Sequence, residues 1–102
     1  HQRKMKQLEY EHQDKKWRLN REREMYEGYI RAAGAAVQAP TNENLKEYGS
    51  YSAIASYYAP KFVQINIRKM DELISLDGRL NEKVNLLNEV IESMKSIKYP
   101  QA

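Results

Sequence analysis

Leu80-Asn81-Glu82-Lys83-Val84-Asn85-Leu86-Leu87-Asn88-Glu89-Val90-Ile91-Glu92-Ser93-Met94 is the stretch that decides the fold class of this chain. Leu80, Val84, Leu87, Ile91 and Met94 recur at alternating steps of four and three, the period of one helix face, and Val90 and Ile97 widen the stripe. A face this broad belongs to a bundle core or a subunit interface, which makes these five residues the candidate core or interface positions. The pattern predicts a helix over Arg79 to Lys98, opened after the turn signal Asp77-Gly78 and closed by Pro100.

Upstream, Val63, Ile67, Met70 and Ile74 form the main face of a helix expected over Pro60 to Leu76, widened by Phe62, Ile65, Leu73 and Leu76. Pro60 has no amide hydrogen and disfavours helix at Ala59, so it opens this helix at its first turn. The alternation in Phe62-Val63-Gln64-Ile65-Asn66-Ile67 has the period of a strand, but a lone strand has no partner, and helix is the better reading. A preceding helix over Asn42 to Tyr58 places Leu45, Tyr48, Ser52, Ala55 and Ala59 on one stripe, with Tyr51, Ile54 and Tyr58 beside it. In Ala39-Pro40-Thr41-Asn42-Glu43, proline stops the first helix, Thr41 caps the next and Glu43 favours its positive end.

Gln2 to Gln38 contains no proline, so a single helix of about 55 Å is expected there. Its first part has the heptad seam Leu8, His12, Lys15, Leu19, Glu22, too polar for strong coiled-coil pairing. From Tyr26 the seam becomes Tyr26, Ile30, Ala33, Val37, and the small residues Ala32 to Ala36 allow close approach of a neighbouring backbone. The expectation is an all-α chain: residues 1–25 as a protruding charged stalk, and residues 26–102 as an antiparallel bundle of the rest of the long helix with three shorter ones.

Of the 102 residues 17 are Lys or Arg and 14 are Asp or Glu, and the excess of +3 sits in Arg3, Lys4 and Lys6; beyond them bases and acids balance. Three readings of this basic start stand: the cytoplasmic flank of an upstream membrane span, an anion-binding tip, or a solvated helix end. The first leads, because Lys and Arg are enriched on cytoplasmic flanks, and a chain that opens on His implies preceding residues. Nucleic acid is disfavoured, since three charges neutralise too few phosphates for firm binding at physiological salt. The absence of cysteine excludes disulfides and thiolate metal sites.

Glu9 and His12 have the spacing of a di-iron Glu-x-x-His, but the only other histidine is His1, so no metal site is expected. Tyr48, Tyr51 and Tyr58 share a helix face that can stack bases beside Lys46 and Lys61, although tyrosines at helical spacing more often pack in a core. Trp17, between Lys16 and Arg18, reads as a packing or dimer contact before a membrane or nucleic-acid contact. No serine lies in a nucleophile motif, no glycine-rich phosphate loop occurs, and the pairs Glu43/Glu47 and Glu89/Glu92 have the look of exposed helix charges. Neither catalysis nor a cofactor is expected.

The segments Tyr26-Glu27-Gly28-Tyr29-Ile30, Ala39-Pro40-Thr41-Asn42-Glu43-Asn44-Leu45 and Tyr57-Tyr58-Ala59-Pro60 give the chain a resemblance to uncharacterised small bacterial and phage-encoded proteins. Those have an N-terminal membrane span, a charged helical stalk and a compact helical C-terminal region. The resemblance implies a place on the cytoplasmic side of a membrane and carries over no functional residue. The expected function is a non-enzymatic scaffold that forms homo-oligomers and binds a protein partner. The alternatives are a nucleic-acid accessory protein using the basic start and tyrosine face, and a soluble partner-binding module.

Overall fold

The structure, a computed structural model, describes the chain path of residues 2–98 and the side chains of residues 20–98. Four helices follow one another: α1 (Gln2–Gln38), α2 (Asn42–Tyr58), α3 (Lys61–Ile74) and α4 (Leu80–Lys95). They pack as a compact all-α bundle in which α1 lies against α2, α2 against α3, α3 against α4, and α4 closes on α1. Among the described residues there is no strand, and Phe62 to Ile67 is helical.

Contacts between neighbours fix their directions. Ala35 meets Asn44, Tyr29 meets Tyr48 and Gly28 meets Tyr51, so position falls along α1 as it rises along α2. Ser56 meets Gln64 and Ser52 meets Asp71, the same reversal between α2 and α3. Both pairs are antiparallel, as their two- and three-residue connections require.

Each connection is closed by side chains reaching the backbone groups that helix ends leave unpaired. Thr41 caps α2 by accepting the Asn44 N–H at 3.2 Å, and the Asn44 amide donates to the Ala39 carbonyl at 2.8 Å and that of Ala35 at 3.4 Å. Asn44 thereby ends α1 while standing in α2. Ala59 has the extended backbone a residue before proline prefers, and Pro60 is the N-cap of α3, its carbonyl accepting from Val63 and Gln64. The third helix therefore starts at Lys61, one residue later than expected, and ends at Ile74 rather than Leu76.

The turn at Asp77-Gly78 forms with Gly78 at φ 69°, and Arg79 follows at φ 55°. A left-handed Arg79 cannot begin a helix, so α4 starts at Leu80, and it stops at Lys95 rather than Lys98. Lys83 is buried, its ammonium donating to the Leu76 carbonyl at 2.6 Å. A cation on a carbonyl just past the end of α3 also suits the negative end of that helix.

The core is built from Tyr26, Tyr29, Ala33 and Ala36 of α1, Tyr48 and Ala55 of α2, Val63, Ile67, Met70 and Ile74 of α3, and Val90 and Met94 of α4. The α3 face is the one the sequence pattern predicts. On α4 the buried face is rotated: Val90 and Met94 lie at its centre with Lys83, Leu87 is half-buried, and Leu80 and Val84 stand exposed. The apolar stripe is wider than the surface α1 and α3 can cover, and the packing takes its Val90 side.

Candidate interaction surfaces

Among the described residues two exposed apolar surfaces and one polar chain, buried at Tyr29, Tyr48 and Ser52 and open to solvent at Asp71, stand out. The polar chain crosses three helices. Tyr48 donates its hydroxyl to Asp71 Oδ1 at 2.7 Å, and Ser52 donates to the same oxygen at 2.5 Å. Tyr29 and Tyr48 hydroxyls lie 3.0 Å apart with their rings tilted at 52°. Tyr48 has one hydroxyl proton and gives it to Asp71, so Tyr29 is the donor in the Tyr29–Tyr48 bond. The order Tyr29 to Tyr48 to Asp71 leaves no proton without an acceptor.

Burial holds both phenols well above their usual pKa of 10; at Tyr48 the neighbouring Tyr29 and Asp71 raise it further, while at Tyr29 the bond to Tyr48 opposes the rise. Neither tyrosine is an anion near neutral pH, and the hydroxyl chain ties α1, α2 and α3 together. Beside it runs a shallow groove of about 500 Å³ between α2 and α3, walled by Ser56, Arg68 and Ser75 among others.

The first exposed apolar surface is the outer half of the α4 stripe. Leu80 is 56% exposed and Val84 41%, and Leu76 in the preceding turn is exposed as well. Leu87 and Ile91, on the same stripe, are half-buried, and Met94 is buried. The five stripe residues thus divide between core and surface: Met94 belongs to the core, and Leu80 and Val84 to the surface.

The second surface surrounds the α2–α3 joint, where Ile54, Tyr57, Tyr58, Phe62 and Ile65 are exposed, Tyr57 at 80%. Tyr57 and Tyr58 touch edge to face, ring centres 4.9 Å apart, as a preformed aromatic ledge. They line an open groove of about 830 Å³ with Ala53 and Ile54 of α2 and Arg21, Glu22 and Met25 of α1. The expected base-stacking face does not assemble: Tyr48 is buried on Tyr29, Tyr51 is half-buried over Gly28, and of the three only Tyr58 is exposed. Packing against α1 takes the first two rings because Gly28 and the alanines beyond it bring the helices close.

The side chains of Arg3, Lys4 and Lys6, with those of Glu9, His12 and Trp17, lie outside the described residues. Among the described residues no three His, Cys, Asp or Glu side chains gather to hold a metal ion, and no helix is long and apolar enough to cross a membrane. Glu43, Glu47, Glu89 and Glu92 are exposed, and Glu92 pairs with Lys95 at 3.3 Å.

Nothing in the sequence pattern distinguished Tyr29 from the other tyrosines, or Asp71 from exposed helix charge. The one signal is that Tyr29 lies three residues after Tyr26 and four before Ala33, beside the expected seam of Tyr26, Ile30, Ala33 and Val37 and not in it. No family model, curated protein or solved structure matches the chain.

Proposed function

We propose that this chain is a non-enzymatic helical scaffold whose copies associate through the outer α4 stripe. The observation that carries this reading is the continuation of the apolar stripe beyond the core: Leu80 and Val84, with Leu76 before them, expose side chains in register with half-buried Leu87 and Ile91. Beside Leu80 and Val84 the exposed positions Asn81, Asn85 and Asn88 are uncharged, and the charges of Glu92 and Lys95 on the same flank lie toward the other end of the helix.

A two-fold pairing of α4 with α4 covers three exposed aliphatic side chains from each copy. At about 1 kcal/mol each, their burial is comparable to the lower estimates of the association cost, about 4 kcal/mol and upward. The pairing is therefore reversible and concentration-dependent. In the same reading residues 1–25 form a charged stalk on a cytoplasmic membrane face, as in the small membrane-anchored proteins the chain resembles. Arg3, Lys4 and Lys6 then sit near anionic headgroups, each contributing about 1 kcal/mol, which requires a second attachment for stable anchoring.

Light scattering behind size exclusion, over a range of loading concentrations, tests the association. The chain is expected to shift from monomer toward dimer with concentration, and Leu80→Glu with Val84→Glu to remain monomeric with unchanged circular dichroism. A wild-type chain that stays monomeric throughout, or a double variant that associates equally well, overturns the reading.

A further inference from the structure

Lys83 is the one buried cation among the described residues, 4% exposed, and no carboxylate among them pairs with it. Side chains at the start of a helix lean back toward its N-terminus. From the first turn of α4, Lys83 therefore reaches over the preceding turn, and its ammonium donates to the Leu76 carbonyl at 2.6 Å. That turn, residues 75–79, has few other fastenings. The Leu76 N–H donates to the Leu73 carbonyl at 3.1 Å and the Ser75 hydroxyl to the Glu72 carbonyl at 3.3 Å, which hold its start to α3. The Lys83 N–H donates to the Arg79 carbonyl at 2.9 Å, which holds its end to α4. Between them Gly78 and Arg79 both stand at positive φ, a conformation that a residue with a Cβ rarely adopts, so the backbone does not take this path by its own preference. The Lys83 ammonium joins the two ends.

We propose that Lys83 is the positioning residue of the self-association surface: its hold on the Leu76 carbonyl fixes the turn so that the Leu76 side chain stands with Leu80 and Val84 as one apolar face. The inference rests on the association through α4 proposed above. Leu80 and Val84 are placed by α4 itself, one turn apart, whereas Leu76 lies between helices and has only the turn to place it. Three aliphatic side chains from each copy barely match the cost of association. A Leu76 left free to move would have to be ordered as the copies meet, which subtracts from what its burial contributes.

The test is sedimentation equilibrium on the full chain as wild type, Leu76→Ala, Lys83→Met and the double variant. Burying a side chain of this kind is worth about a fivefold factor in the association constant, and a two-fold pair holds it twice, so Leu76→Ala should weaken the dimer about 25-fold. Lys83→Met should weaken it about fivefold or more. In that background Leu76→Ala should cost less than it does alone, because both substitutions act through one side chain. Methionine fills the space of the lysine stem without a charge to desolvate, so the melting temperature of Lys83→Met should stay within about 8 °C of wild type, the shift of about one hydrogen bond. Amide hydrogen exchange, read in the Leu80→Glu with Val84→Glu background so that association plays no part, should show the Leu76 N–H exchanging about tenfold faster with Lys83→Met, and the Met70 N–H of α3 unchanged.

Equal association of wild type and Lys83→Met, or costs that simply add in the double variant, overturns the positioning role and leaves the association through α4 standing. An unchanged Leu76 exchange rate does the same, as does a larger fall in melting temperature, which would make the bond a general stabiliser of the fold. A wild-type chain that stays monomeric throughout overturns the association itself, and this inference with it.

Discussion

Replacing Tyr48 by Phe removes one oxygen from the middle of the hydroxyl chain and has two consequences of different kinds. The donation to Asp71 is lost, which for a bond to a carboxylate costs about 1.5–3 kcal/mol. Tyr29, which is fully buried, also keeps its hydroxyl proton with its acceptor gone, adding about 1–3 kcal/mol. Tyr48→Phe should therefore destabilise the domain by about 2.5–6 kcal/mol, a large share of the 5–15 typical of a small domain. Tyr29→Phe removes only the terminal donor and leaves Tyr48 still donating to Asp71, so it should cost about 1 kcal/mol. The sharpest expectation is the order of effects. In a Tyr48→Phe background, Tyr29→Phe deletes the stranded donor and should be neutral or stabilising. Urea unfolding followed by circular dichroism on the wild type, both single variants and the double variant gives the coupling directly. If Tyr29→Phe costs the same in both backgrounds, the directed chain from Tyr29 through Tyr48 to Asp71 is wrong.

Glycine replacements provide an internal control on helix packing. A Cβ on Gly34 or Gly49 meets nothing within 4 Å, so Gly34→Ala and Gly49→Ala should each stabilise by about 0.5–1 kcal/mol, whereas a Cβ on Gly28 collides with the Tyr51 ring, and Gly28→Ala should be net destabilising by about 1 kcal/mol in thermal or urea melts. High pH should unfold the domain through its buried phenols. The folded state keeps Tyr29 and Tyr48 neutral above the usual pKa of 10, while the unfolded chain ionises them there. Stability should thus be insensitive to these groups below about pH 10 and fall above it by about 1.4 kcal/mol per pH unit for each tyrosine, checked by unfolding at a series of pH values beside the phenolate absorbance. Removal of the Tyr48 hydroxyl by Tyr48→Phe should halve that slope.

The α3 face, Val63, Ile67, Met70 and Ile74, was readable because one clean stripe admits one buried orientation. Thr41 and Pro60 were readable as punctuation because capping and ring closure act within a few residues. On α4 the stripe spans more of the helix circumference than one core covers, and its rotation depends on how close α1 and α3 approach, which no single helix encodes. Lys83 interrupts the apolar pattern on paper, yet its stem packs inside and its ammonium finds the Leu76 carbonyl. Ser52 and Asp71 are ordinary polar residues until α2 and α3 are set side by side. Arg79 at positive φ has no local signal at all, since the turn at Gly78 already satisfies the sequence rule.

The chain contains no cysteine, so a single Asn81→Cys substitution carries one spin label per copy at an exposed position beside the α4 stripe, with Leu80 and Val84 left in place. Paired helices pack about 8–10 Å apart, so labels on two α4 helices joined in a two-fold pair lie within the range of dipolar spectroscopy. The account predicts a defined short label-to-label distance that grows in population with concentration and vanishes in the Leu80→Glu background. The absence of dipolar coupling at concentrations where the chain is dimeric would place the contact elsewhere and contradict the assignment of the α4 stripe as the surface through which copies meet.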